Sequence, residues 1–383
     1  MRSTSRVIIG ALLASLVLAG AFASPASAKK PGTVKRVQVT AASTSSLTLT
    51  WNKVGGATKH EIFFSTSYSM KKAKKRKAGK TNSFRVAGLS RNKLYCFQVR
   101  ALRGKSVGKK SQRTCKPTVN WKGATAGTPV RVATFNACTD KCSGSLNRGN
   151  LAIKQLRSAS PDIIALQEAS NAQIEDGLAP EWAGTEYKSA KRLLYKKSKF
   201  DLAVGEPTVE EQFEKPRQGY FDLGGKYGVW AELIDKKTSK HFIVTSVHLT
   251  SGKGKSEANK RQAETSKLHS ETAKVNPRNL TVVHAGDFNS NKSRGSLDTV
   301  RPVMYKSGYI DSFDLALYLV NPNWNSSLKD GKPAYGTTWG DHVDHIWVKP
   351  AVGVRKWQKL GSLSKPYASD HFPVLVDLII PNS

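Results

Sequence analysis

Acidic residues are scarce in this chain. Its 383 residues hold 28 Asp and Glu against 61 Lys and Arg, a formal net charge of +33. The deficit is uneven. Residues 29–118 carry 23 Lys and Arg but one acid, Glu61. That stretch cannot neutralise itself, and its field favours polyanions: nucleic acid, anionic lipid or an acidic cell-envelope polymer. Long apolar runs are equally few. After Val7 to Phe22 none reaches spanning length, which leaves no second membrane segment. Cysteine is limited to four, and Cys138 and Cys142 have no second pair in the later part of the chain. That argues against a four-ligand zinc site.

The one long apolar run sits behind Arg2 and Arg6 and ahead of Ala26-Ser27-Ala28. This is the layout of a secretory signal, with cleavage expected after Ala28. A secreted, extracellular product is expected, and its four cysteines read as two disulfides. Cys138 and Cys142 would close a small loop just after Asn136. At 39% hydrophobic the chain can build cores, and its length calls for two domains.

Residues 32–118 hold short alternating segments separated by turn residues: Val37–Val39, Ser46–Trp51, His60–Phe64, Phe84–Val86 and Tyr95–Ala101. That pattern predicts a small β-sandwich. Trp51 followed by Gly88-Leu89 and Tyr95-Cys96-Phe97-Gln98-Val99-Arg100-Ala101 resembles a fibronectin type III domain. The resemblance implies Trp51 in the core and a corner hydrogen bond from Tyr95. It places Cys96 and Cys115 on the last two strands, where we pair them. The run Lys71, Lys72, Lys74, Lys75, Arg76 and Lys77 is expected in a hairpin loop and reads as a polyanion-binding tether. Residues 119–128, with Trp121, Gly123 and Gly127, read as a linker. The expected division is a signal at 1–28, a basic module at 29–118, the linker, and a second domain at 129–383.

In the second domain strand and helix patterns interleave. Val130–Phe135 ends at Asn136, Ile163–Leu166 at Gln167-Glu168, Phe242–Val247 at His248 and Asn279–Val283 at His284-Ala285-Gly286-Asp287-Phe288-Asn289-Ser290. Lys191–Phe200 and Tyr227–Ile234 read as further strands, and Leu146–Ala159 and Lys255–Val275 as helices. Asp344 opens the strand Asp344–Val348, and Asp370-His371 precede Val374–Ile380. If the last strands run antiparallel to the earlier ones, every one of these positions meets on one rim. That predicts an α/β sandwich of two mixed sheets flanked by helices. Gly-Asp-Phe-Asn alone is an ordinary turn sequence. Here Asp287 offers a carboxylate and Asn289 an amide at a strand end.

The set ATFNA, DIIALQE, SVHL, GDFN, VDHIWV and SDHFPV, in this order over about residues 129–380, resembles the endonuclease/exonuclease/phosphatase superfamily, whose familiar member is deoxyribonuclease I. The resemblance implies a four-layer sandwich and a hydrolase acting on phosphodiester bonds. It makes Glu168 the main metal ligand with Asn136 beside it. Asp370 is expected near the metal, since adjacent residues of a strand point apart. Such oxygen ligands suit Mg²⁺ or Mn²⁺, and Ca²⁺ as well. His371 is the expected base, oriented by Asp344. His248 is expected at the scissile phosphate, and Asp287 and Asn289 at the leaving group and a phosphate oxygen. Relatives pair the counterpart of His248 with a Glu. Here that place falls near Ser189, where no acid stands, and Glu186 lies close by.

His342 and His345 flank Asp344 and are expected to pack or support rather than ligate. His284 is expected to be a core residue. The expected activity is a secreted nuclease on DNA or RNA, acting as a monomer. One alternative is a sphingomyelinase-like phospholipid phosphodiesterase, with Tyr318–Trp324 as its membrane-facing aromatics. The other is an inactive polyanion-binding protein.

Overall fold

The computed structural model describes residues 30–119, 123–139, 145–205, 214–328 and 342–382. The signal segment, Trp121 of the linker and Cys142 lie outside them, and so does the expected Cys138–Cys142 bond.

The N-terminal module is a β-sandwich. Lys59–Ser65 and Leu94–Arg103 pair antiparallel, and they face a second sheet of Gln38–Ala42, Ser46–Thr50 and Ser83–Ala87. The alternating segments turn Leu47, Leu49, Ile62, Phe97 and Val99 inward around Trp51. The Tyr95 hydroxyl accepts from Ser90 N at 2.9 Å, the expected corner bond. Cys96 and Cys115 are cross-strand neighbours joined by a disulfide.

The lysine run is not a loop throughout. Lys74–Ala78 is an edge strand on Lys59–Ser65. Lysine suits an edge because it deters pairing by another chain. Glu61 binds Lys75 at 3.0 Å and Arg100 at 2.6 Å, so one charge of the run is answered.

The second domain has four layers. Its first sheet orders Trp182–Gly184, Arg192–Lys196, Ile163–Gln167, Thr128–Asn136, Val374–Ile380, Gly353–Lys359 and Tyr318–Val320. The second orders Phe200–Leu202, Tyr227–Asp235, His241–His248, Thr281–Asp287, Asp344–Val348 and Ile310–Asp311, with Gln218–Asp222 also on Tyr227–Asp235. Strands buried on both faces read as unbroken apolar runs. Val132, Ile163, Phe242, Val283, Ile346 and Val376 fill the space between the sheets. Helices Ser145–Ala159 and Gln173–Leu178 cover the outer face of one, and Lys255–Val275 and Val300–Lys306 that of the other. The expected strand Lys191–Phe200 is instead split, its two halves lying in different sheets.

The strand directions assemble the rim. Thr128–Asn136 and Ile163–Gln167 run parallel, and Val374–Ile380 runs against them. His241–His248 and Thr281–Asp287 run parallel, and Asp344–Val348 runs against them. Strand ends from one direction therefore meet strand starts from the other.

The two domains share a sheet. Ala41 pairs antiparallel with Tyr318, making one ten-stranded sheet. Tyr318–Val320 is also paired with Gly353–Lys359, so it is a joint between domains and not a free membrane-facing hairpin. No helix among the described residues is long and apolar enough to cross a membrane.

Candidate active site

Gly286 shows why the central motif begins with glycine. A Cβ there would lie 2.1 Å from the Val247 carbonyl oxygen. Only a residue without one lets this strand lie against its neighbour. The strand then sets Asp287 opposite Asp344 in register. Asp287 is 1% exposed, and its Oδ1 accepts from Asn289 N at 2.9 Å. Asn289 sits at φ +49°, and its Nδ2 donates to the Leu249 carbonyl at 3.0 Å. Asn289 thus shapes the loop around Asp287.

On the facing sheet, Asn136 Nδ2 donates to Glu168 Oε1 at 3.0 Å and to Asp287 Oδ2 at 3.2 Å. This amide ties the carboxylates of the two sheets together. Its Oδ1 accepts from Cys138 N at 3.3 Å. Glu168 stands one residue past its strand at φ +48°, a backbone state costing a non-glycine residue about 1–3 kcal/mol. Beneath it Gln167 Nε2 donates to Ser246 Oγ at 2.8 Å, a bond between the sheets.

His371 Nδ1 lies 2.9 Å from Asp344 Oδ2, and its Nε2 lies 3.9 Å from Asp287 Oδ2. Burial opposes its charged form, yet Asp344, Asp287 and Asp370 outweigh burial and push it up to about 9. Burial raises Asp344 in turn, but His371 and the Ser326 hydroxyl hold it below the usual carboxylate range. Ser369 Oγ donates to the Asn136 carbonyl at 2.7 Å and accepts from His371 N, pinning the histidine to the rim. Asp370 is half-buried, 3.3 Å from Ser369 Oγ. It stands outside the cluster of Asp287, Asp344 and His371, whose ligand atoms lie within 4.8 Å of one another.

His248 Nε2 lies 3.6 Å from Asp287 Oδ2 and 3.8 Å from Glu168 Oε1. Burial lowers its pKa, against the pull of both carboxylates. Neither Ser189 nor Glu186 gives it an acid partner. Glu186 is exposed, its amide N on Gln218. The turn supplies a cation instead. Lys191 is 5% exposed, donates to the Ser189 carbonyl at 2.8 Å, and is brought down to about 8 by burial and Lys226, against the pull of Glu168. One lysine among so many gave no signal in the sequence.

The other histidines support the scaffold. His345 bridges Asp311 Oδ2 and the Ser290 carbonyl, both at 2.8 Å. His342 packs on Trp357 and contacts the Pro322 carbonyl at 2.7 Å. His284 is buried against Tyr309 and Thr245.

A family model described as the Endonuclease/Exonuclease/phosphatase family matches residues 133–371. The chain belongs to that family. A second model, the fibronectin type III domain, matches residues 31–115. The fold is similar to a family protein from Bacteroides thetaiotaomicron (TM-score 0.54, 21% identity, 67% of this chain and 99% of that one). It is likewise similar to the family protein from Bacteroides vulgatus (0.53, 21%, 66% and 100%). A mannosyl-6-phosphatase of Bacteroides thetaiotaomicron VPI-5482 also matches (0.52, 21%, 65% and 99%). No curated protein matches the chain. The fold is that of phosphoesterases, and family enzymes depend on divalent metals.

Proposed function

We propose that this protein is an exported, divalent-metal-dependent phosphodiesterase that hydrolyses nucleic acid. One observation supports it above the rest: an Asp344–His371 pair at 2.9 Å aims its free nitrogen at Asp287, beside Glu168 and His248. The charge of +33 supports a long polyanion as substrate.

Glu168 and Asp287, with Asn136 once its amide turns, fit a hard cation such as Mg²⁺, Mn²⁺ or Ca²⁺. Asp344 Oδ1 is buried without a hydrogen-bond partner among the described residues, a further free oxygen nearby. A bound cation would neutralise charge developing on the phosphate. His371 accepts the proton of the attacking water through Nε2, while Asp344 holds the ring from behind. A cation held beside Asp287 would offset part of what raises His371 and bring its base form nearer neutral pH. His248 donates to a phosphate oxygen, with the Lys191 ammonium beyond it. The loop of Asp287 and Asn289 faces the leaving group.

The test incubates protein beginning at Lys29 with supercoiled plasmid and Mg²⁺, beside EDTA and the variants Asp287→Ala and His371→Ala. Nicking that needs metal and vanishes in both variants is expected. Absence of cleavage of plasmid, linear DNA and RNA would overturn the reading. Export is tested by sequencing the N-terminus of protein recovered from culture medium, which is expected to begin at Lys29.

A further inference from the structure

We propose that Tyr220 and Tyr227 form a stacking platform for the unpaired base next to the scissile phosphate, which makes single-stranded nucleic acid the preferred substrate over duplex. This rests on the nucleic-acid reading above.

The pairing between the two strands ends at Gly228 with Val247, and Tyr227 and His248 are the next residues at that end of each strand. Val229, Ala231 and Leu233 on the one strand, and Phe242 and Val244 on the other, turn to the space between the sheets. By alternation Tyr227 and His248 share that face. Tyr220 pairs with Val229 and joins them. The two rings stand 5.8 Å apart, edge to face, and Tyr220 is 46% exposed.

A cation completes the group. Lys188 Nζ lies 4.2 Å from the centre of Tyr220 and 4.9 Å from that of Tyr227. It is held by a two-residue turn in which Ser189 and Ala190 both have positive φ, +47° and +57°. Glycine would relieve that strain. The Ala190 carbonyl accepts from Ala169 N, next to Glu168, at 3.1 Å, which fastens the turn to the catalytic rim.

A single exposed tyrosine on an outer strand needs no explanation. Two rings and an ammonium on the catalytic face, beside the phosphate-facing histidine, match the parts of a single-strand groove: aromatic faces for bases and cations for the backbone. A base inside a duplex has both faces covered, so duplex gains nothing from the platform.

The test measures kcat/KM on a single-stranded oligonucleotide, on the same sequence as duplex, and on bis-p-nitrophenyl phosphate. The proteins are wild type, Tyr220→Ala, Tyr227→Ala and the ring-retaining Tyr220→Phe. Wild type is expected to prefer the single strand. Each alanine variant should lose roughly ten- to hundredfold on that substrate, mainly through KM. Cleavage of duplex should fall far less than cleavage of the single strand, and Tyr220→Phe should behave as wild type. Alanine variants that cut single strands as wild type does, or lose equally on both forms, would overturn the platform alone. Wild type that hydrolyses bis-p-nitrophenyl phosphate but no nucleic acid would overturn the nucleic-acid reading, and the platform with it.

Discussion

Replacing Asp344 with Asn tests the centre of the site without changing its shape. His371 is raised to about 9 in the folded protein, and an unfolded imidazole titrates near 6.5. The charged histidine therefore stabilises the fold fully below pH 6.5, and that contribution is lost as pH rises through 9. A gap of this size corresponds to about 3 kcal/mol. His371 is 2% exposed, so water screens little of it. In Asp344→Asn the main source of the shift is gone while burial remains, so the histidine turns neutral in the fold. The assay is urea unfolding in EDTA from pH 6 to 9.5. Wild type should lose about 3 kcal/mol across that range relative to the variant. The same substitution removes the orienting carboxylate, so kcat with metal should fall about 10²–10⁴-fold. Parallel pH trends for the two proteins would refute the charge assignment of the pair.

Gly286→Ala drives a methyl against the Val247 carbonyl and should cost about 2–3 kcal/mol, read by urea unfolding, with activity lost as Asp287 moves. Tyr95→Phe removes the hydroxyl that accepts from Ser90 N and should lower stability by about 1 kcal/mol while leaving kcat unchanged. Changing Lys71, Lys72, Lys74 and Lys77 together to Ser should weaken nucleic-acid binding at low salt. It should also flatten the plot of log affinity against log salt by roughly 0.7–0.9 per lost phosphate contact, with kcat unchanged.

The rim was legible because its residues break a pattern. A carboxylate, amide or imidazole at either end of an apolar run has no place in a core, so Asn136, Glu168, His248, Asp287, Asp344 and His371 stand out. Their convergence needed only antiparallel closing strands, which the structure has. Lys191 was hidden because lysine is common here and burial leaves no mark in the sequence. Lys74–Ala78 read as a loop because edge strands need no apolar alternation when both faces meet water. The Gln167–Ser246 bond and the tyrosine pair depend on register between separate strands, which local patterns do not carry.

The basic module was expected to be a tether on a linker, but the structure makes it part of one body. Beyond the shared sheet, Lys116 is buried with its ammonium on the Asp314 carbonyl at 3.2 Å. Burial brings it down to about 8, against the pull of Asp314. An ammonium out of water is costly unless answered, and here the answer is a network. Asp314 also binds Lys292 and, at 3.6 Å, Arg301, which reaches Asp298 at 2.9 Å and Asp311 at 3.6 Å. Asp311 holds His345, whose other nitrogen meets the carbonyl of Ser290, next to Asn289. Contacts thus run unbroken from the module to the loop carrying Asp287. Deleting the module would strip the Lys116 ammonium from the Asp314 carbonyl and leave Tyr318 on a bare sheet edge. Its removal would perturb the second domain as well as the charge, so the surface substitutions at Lys71, Lys72, Lys74 and Lys77 isolate the electrostatic contribution where truncation does not.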